Sequence, residues 1–236
     1  MRRERPFVFI NTAVTADGKI DTVERRGAPI SSPADLERVH SLRASAGAIM
    51  VGGHTLLHED PSLTVKPEHL RAERVARGLS ENPIKVGIVS HIGDPAAGPS
   101  IRSDGKFLNA GPARAVLFTT EQTRPAQIAR LTERGAEVYV VGERRVDLAE
   151  ALRLLKGMGV ERLMVEGGGT LNAELLRLKL VDEIHLYIAP LIFGGATAPT
   201  LADGPGLPRD EAIGLRLRRC EPLDDGGIVV EYEVAE

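Results

Sequence analysis

The chain has 236 residues, 42% of them hydrophobic, and a formal net charge of −3 from 30 basic and 33 acidic residues. Mixed charge with no basic excess argues against a nucleic-acid face or a polybasic membrane patch. One cysteine, Cys220, excludes an internal disulfide and any multi-cysteine metal site. With 3% aromatic residues and no tryptophan, a binding site cannot rely on many stacking partners.

The start, MRRERPFVFIN, is basic but lacks the apolar core and small-residue cleavage site of a secretory leader. No apolar run nears the roughly 18 residues that span a bilayer, so a cytoplasmic protein is expected. FVFINTAV (7–14) reads as a strand. SSPADLERVHSLR (31–43) reads as a helix, with Ser32 as cap, Pro33 at the first helical position, and Leu36, Val39 and Leu42 on one face. AGAIMVGG (46–53), PIKVGIVS (83–90), ARAVLFTT (113–120) and AEVYVV (136–141) read as strands, with a helix over 123–135. VDLAEALRLLKGMG (146–159) is predicted helical, with Asp147 as cap and Glu150 completing a capping box; Gly157 or Gly159 ends it. RLMV then leads through VEGGGTL (165–171) into a helix running to about Lys179, and 183–195 and 227–235 read as closing strands.

Strand–helix alternation with continuous apolar strands predicts an α/β fold. The expected architecture is a mostly parallel central sheet with helices on both faces and an antiparallel C-terminal edge. Two segments, 66–82 and 91–112, are polar or rich in Gly, Pro and Ser and read as surface excursions. No linker marks a boundary, so residues 1–236 are expected to form one domain.

In open α/β sheets ligands gather at the carboxyl ends of strands, and three polar clusters fall there. In NTAVTADGKID (11–21), Asn11 and Thr15 interrupt an apolar strand and Asp17-Gly18 makes a turn beside Lys19; the plain alternative is an ordinary hairpin turn. In VGGHTLLHEDPSLT (51–64), a glycine pair admits close backbone approach, and Thr55 can meet a phosphate. An ordinary strand exit is the alternative. His54 and His58 have i,i+4 spacing but no third ligand, so no metal is expected. The third cluster is the glycine turn. It is not a dinucleotide fingerprint, because Asn172 stands where the last glycine belongs, and it is not a Walker loop. Thr170 can cap the next helix, whose N–H groups would face an anion. Glu166, at a strand end, would repel phosphates. It is expected to accept from ligand N–H groups or contact a cation, unless it is a capping or ion-paired surface glutamate. No nucleophile–base pair is evident, so a cofactor is expected to carry the chemistry.

Taken together, NTAVTADGKI, RVHSLRASAGAIMVGGHTLLHEDPSLT and VEGGGTLNAELLRLKLVDEIHLYIAPLIFGG resemble the riboflavin-pathway reductases, from about Phe7 to Glu233. The resemblance implies a dihydrofolate-reductase-like fold, NADPH as cofactor and a homodimer. It implies a pyrimidine ribosyl phosphate substrate whose ribosylamino group becomes ribitylamino by hydride transfer to C1′. It also implies that Thr55, Asp60 and the turn around Ser90 contact NADPH, with Gly167, Gly168, Gly169, Thr170, Leu171 and Asn172 against its pyrophosphate side. Asn11, Thr15, Asp17 and Lys19 would line the substrate pocket and Glu166 would meet the pyrimidine, with Lys19, Asp17 and Glu166 as the catalytic candidates. The sequence lacks the H-x-E and P-C-x-x-C motifs of the deaminase carried by bifunctional relatives, so the reductase alone is expected. It departs from the pattern at IVSH, where Val89 replaces an acid. Two alternatives stand beside this reading: a reductase of a pterin- or dihydrofolate-like ring, and a non-catalytic NADP-binding protein.

Overall fold

A computed structural model describes residues 4–93 and 98–235. Residues 1–3 of the basic start and 94–97 of the second inserted segment lie outside that description. In chain order come β1 (Phe7–Thr15), α1 (Pro33–Ser45), β2 (Ala48–Gly52), α2 (Gly53–His58), α3 (Glu68–Ala76) and β3 (Ile84–Ile88). They are followed by α4 (Lys106–Asn109), β4 (Ala115–Thr119), α5 (Pro125–Thr132), β5 (Glu137–Val140), α6 (Leu148–Gly157) and β6 (Arg162–Val165). The chain closes with α7 (Gly169–Arg177), β7 (Glu183–Ala189), β8 (Leu215–Pro222) and β9 (Ile228–Val234).

These elements fall into two compact units, one of Met1–Pro6 with His40–Met164, the other of Phe7–Val39 with Val165–Glu236. In the first, β2 pairs with β3, β3 with β4 and β4 with β5, all parallel. Every residue of β2 and β4 is buried, as expected of parallel strands covered on both faces. In the second unit β1 pairs parallel with β7, whereas β9 runs antiparallel between β7 and β8. The mostly parallel α/β architecture with an antiparallel C-terminal edge is therefore present.

Several local readings need correction. Leu36 is half exposed rather than packed with Val39. The strand expected over 183–195 stops at Ala189, because Pro190 has no N–H to continue the ladder. β8 is a further strand beyond those expected: its start alternates Leu and Arg, but its residues are almost all exposed, so the alternation marks no buried face. Asp147 does cap α6, taking the Glu150 N–H at 3.0 Å, but the Glu150 side chain binds Arg153 instead of closing a box.

The two inserted segments are more than surface decoration. In the first, α3 delivers Arg74 into a buried position, where it donates to the carbonyls of Ala44, Ala46 and Ser80 at 2.6–2.9 Å. Buried Asn82 accepts the Val65 N–H at 2.9 Å. In the second, Ile92, Ile101 and Phe107 enter the core. The four-residue α4 is held at both ends by opposite charges. Asp60 accepts from Lys106 N and Phe107 N at 2.8 and 3.0 Å. Lys85, fully buried in β3, donates to the carbonyls of Lys106, Phe107 and Ala110. An acid at the start and a cation at the end complement the helix dipole and satisfy groups that so short a helix leaves open. Burial pushes the Lys85 ammonium down to about 8, against an upward pull from Asp60.

Candidate functional site

In the second unit the β1 exit is a closed turn. Thr15 N donates to Lys19 O at 2.9 Å and Gly18, at φ +78°, donates to Thr15 O. The buried Thr15 hydroxyl donates to Asp17 Oδ1 at 2.5 Å and accepts Lys19 N at 2.9 Å. Asp17 also accepts from Phe193 N and Gly194 N, at 3.3 and 2.8 Å. The Thr15 hydroxyl first, then the two backbone N–H groups, hold the Asp17 carboxyl below the ordinary carboxylate range. Asp17 is thus a fixed anion that ties the turn to the loop after β7. Lys19 reaches Ala198 O through Nζ at 3.3 Å. The structure so brings Thr15, Asp17 and Lys19 together. Asn11 lies four residues back along β1, buried, with its Oδ1 unpartnered among the described residues.

The glycine turn follows β6, with Glu166 partly buried at its start. Gly167 has φ +93°, the Gly167–Gly168 peptide is cis, and Gly168 caps α7. Thr170 is not the cap expected of it; it lies inside the helix and is exposed. The space where Gly167 would carry a Cβ holds only Asn172 Nδ2, 3.7 Å away, so a ligand can reach this backbone closely. A Cβ on Gly169 would instead strike Thr200 O at 2.4 Å and the Asp203 carboxylate at 2.7 Å. That carboxylate beside the helix start weakens its pull on an anion, so close backbone approach is the turn's main offer. Leu171 is core. Asn172 is fully buried; its Nδ2 donates to Leu201 O at 2.9 Å and its Oδ1 has no partner among the described residues. The turn fits a ligand that brings hydroxyl or amide donors, as a nicotinamide dinucleotide does.

In the first unit Thr55, Asp60 and Ser90 all follow the carboxyl ends of β2 and β3. Thr55 is partly buried in α2, and Gly53 admits no larger residue without pressing on Val89, 3.3 Å from an added Cβ. Ser90 is partly buried, and its carbonyl accepts the Thr120 hydroxyl at 2.6 Å. Asp60, at φ +47°, spends both carboxylate oxygens on α4. His54 and His58 stack on each other, centroids 4.2 Å apart. Among the described residues no group of three His, Cys, Asp or Glu is placed to hold a metal ion, and no helix is long and apolar enough to cross a membrane.

Sequence reasoning missed Lys85 and Asp203. A lysine in the middle of PIKVGIVS was the available signal for the first; nothing in sequence marks the second.

Fold and strand-end clusters together define an α/β protein that, in each unit, sets polar side chains and glycine backbone at the carboxyl ends of its strands. The family model "RibD C-terminal domain" matches residues 6–229, and the chain belongs to that family. Over 231 residues it is 44% identical to the 2,5-diamino-6-ribosylamino-4(3H)-pyrimidinone 5′-phosphate reductase of Methanothermobacter thermautotrophicus, covering 98% of this chain and 99% of that one. A protein of the same name from Archaeoglobus fulgidus is 38% identical, covering 94% and 95%. These relatives are oxidoreductases by name. Among solved structures, a pyrimidine reductase-like protein from Corynebacterium diphtheriae superposes with a TM-score of 0.77 at 22% identity, over 98% of this chain and 92% of that one. Acinetobacter baumannii RibD superposes with 0.79 at 21% identity, over all of this chain and 59% of that one, and both support the fold.

Proposed function

We propose that the chain reduces 2,5-diamino-6-ribosylamino-4(3H)-pyrimidinone 5′-phosphate, with NADPH as reductant, to the ribitylamino compound. The observation that carries this is the end-to-end identity with reductases of that name. The family match runs through both units, which supports their acting as one reductase domain.

The substrate's ribose must open: the C1′–ring-oxygen bond breaks, the oxygen takes a proton and the exocyclic nitrogen loses one, leaving an imine. Hydride then adds at C1′ and the nitrogen takes a proton. NADPH, when bound, supplies that hydride. Thr55, Ser90 and the backbone of residues 167–172 would hold the cofactor, with Asp60 shaping the α4 segment. Lys19 is the proton carrier for the ring oxygen or the imine nitrogen. Asp17, kept ionised by Thr15 and two backbone N–H groups, is an electrostatic partner that fixes the turn. Glu166 accepts from the pyrimidine's amino and ring N–H groups, and Asn11 offers a buried acceptor. We assign the chain a cytoplasmic location and a homodimeric state, the latter to be read by light scattering at micromolar concentration.

The test follows loss of reduced-nicotinamide absorbance with the diaminopyrimidinone, its deaminated amino-uracil form, and dihydropterin or dihydrofolate. Turnover is expected with the first. Turnover only of a pterin, or tight NADPH binding with no turnover, would overturn the assignment. Glu166→Gln is expected to raise KM for the pyrimidine by roughly tenfold or more, because one acceptor becomes a donor facing donors.

A further inference from the structure

Residues 198–203 form a strap between two features already placed near the chemistry. At its first end Lys19 Nζ donates to Ala198 O at 3.3 Å, Ile20 N donates to Pro199 O at 3.0 Å, and Lys19 bridges Thr200 in antiparallel fashion. At its other end Asp203 N donates to Gly169 O at 3.0 Å, and Leu201 O accepts from buried Asn172 at 2.9 Å. Asp203 closes the strap on itself, accepting from both Thr200 N and the Thr200 hydroxyl at 2.9 Å. The strap presses directly on the helix start: the place a Gly169 side chain would occupy is filled by Thr200 O and the Asp203 carboxylate.

We propose that Asp203 is a positioning residue, which by gripping Thr200 and seating against Gly169 fixes the separation between Lys19 and the glycine turn. Lys19 is anchored to the strap by its Nζ bond and its bridge to Thr200, and the turn by two hydrogen bonds and the packing at Gly169. A proton carrier and a cofactor-binding turn that slide relative to each other lose the geometry that hydride and proton delivery require, and displacements near 1 Å cost on the order of 100-fold in rate. Asp203 itself touches no reacting atom. The inference rests on the functional reading above for its kinetic consequence, but its mechanical content is independent of it.

The experiment compares Asp203→Ala and Asp203→Asn in the full chain, with amide hydrogen exchange and steady-state kinetics. In the alanine variant, exchange at Ile20 and Asp203 N–H is expected to rise at least about tenfold, while the β7–β9 amides keep their protection. kcat with the pyrimidine substrate is expected to fall roughly 10- to 100-fold. The asparagine variant keeps an acceptor for Thr200, and is expected to restore Ile20 protection and most of kcat. Unchanged exchange at Ile20 in the alanine variant overturns the proposal; so does an asparagine variant that fails as fully as alanine, since the grip and not the charge is invoked. Should the alanine variant not fold, Thr200→Val removes only the hydroxyl donor. It is expected to give a smaller local rise at Ile20, and no rise overturns the proposal. If the wild-type chain reduces no pyrimidine, the functional reading fails, while the exchange comparison still decides whether the strap is a mechanical link.

Discussion

Replacing Lys85 by methionine isolates the energetics of a buried cation. Lys85 has no exposed surface, and burial brings its pKa from 10.5 down to about 8. The folded chain therefore binds the proton less tightly than the unfolded chain. Below the folded pKa both forms are protonated and the whole cost of burying the charge is present; it is relieved as pH rises through 8 toward 10.5. The shift of 10.5 − 8 = 2.5, at about 1.36 kcal/mol each, makes that cost about 3 kcal/mol. Between about pH 7.5 and about pH 9.5, linkage returns about 2 kcal/mol of it. Urea unfolding at those two pH values should thus show wild-type stability gaining about 2 kcal/mol relative to Lys85→Met. The absolute difference at either pH mixes this with three carbonyls left without their donor, worth about 1–3 kcal/mol in the opposite direction. The slope is the clean quantity. Parallel stability profiles for the two proteins, within about 0.5 kcal/mol, would refute the burial argument.

Four further outcomes are expected. Asp60→Ala strips the cap from Lys106 N and Phe107 N and should cost about 1–2 kcal/mol in denaturant unfolding, with exchange rising in residues 105–110 before elsewhere. Gly169→Ala drives a methyl to 2.4 Å from a backbone oxygen and should cost about 2 kcal/mol or more, read as a fall in Tm with weakened NADPH binding. Asp17 has a lowered folded pKa, so its hold on Gly194 is present above the ordinary carboxylate pKa and fades as pH falls through the folded value. Exchange at Gly194 N–H should therefore lose protection on the acid side in the wild type, and show no such step in Asp17→Asn. Lys19→Met should lower kcat by roughly 100-fold at unchanged Tm, and a loss under threefold would remove Lys19 from proton transfer.

The strands were legible wherever both faces are buried, since AIMVG and AVLFT carry no charged residue and only one polar one, Thr119 at a strand end, to confuse the reading. The clusters at strand ends were legible as clusters: Thr15, Asp17 and Lys19 do converge. Their internal wiring was not. Asp60 reads as a ligand residue after a strand, but its carboxylate is committed to a helix 46 positions away in sequence. Local pattern carries no information about partners at that separation. Arg74 looks like one more charge in a polar insertion, and only its three carbonyl acceptors show that it is an anchor. β8 escaped because its short Leu–Arg alternation lies on an exposed edge, with no core face to carry it through the whole strand.

The placement of β9 has a consequence for how the chain is made. The strand formed last lies between β7 and β8, and the second unit draws on both ends of the sequence. A ribosome delivers Phe7–Val39 long before its partners at Val165–Glu236 exist, whereas His40–Met164 emerges as one contiguous stretch. The first unit can therefore acquire structure during synthesis, while the apolar β1 lacks its partner β7 until Glu183–Ala189 has been made. Chaperone demand should concentrate on that waiting strand, and a nascent chain halted before Glu183 should leave it without that partner.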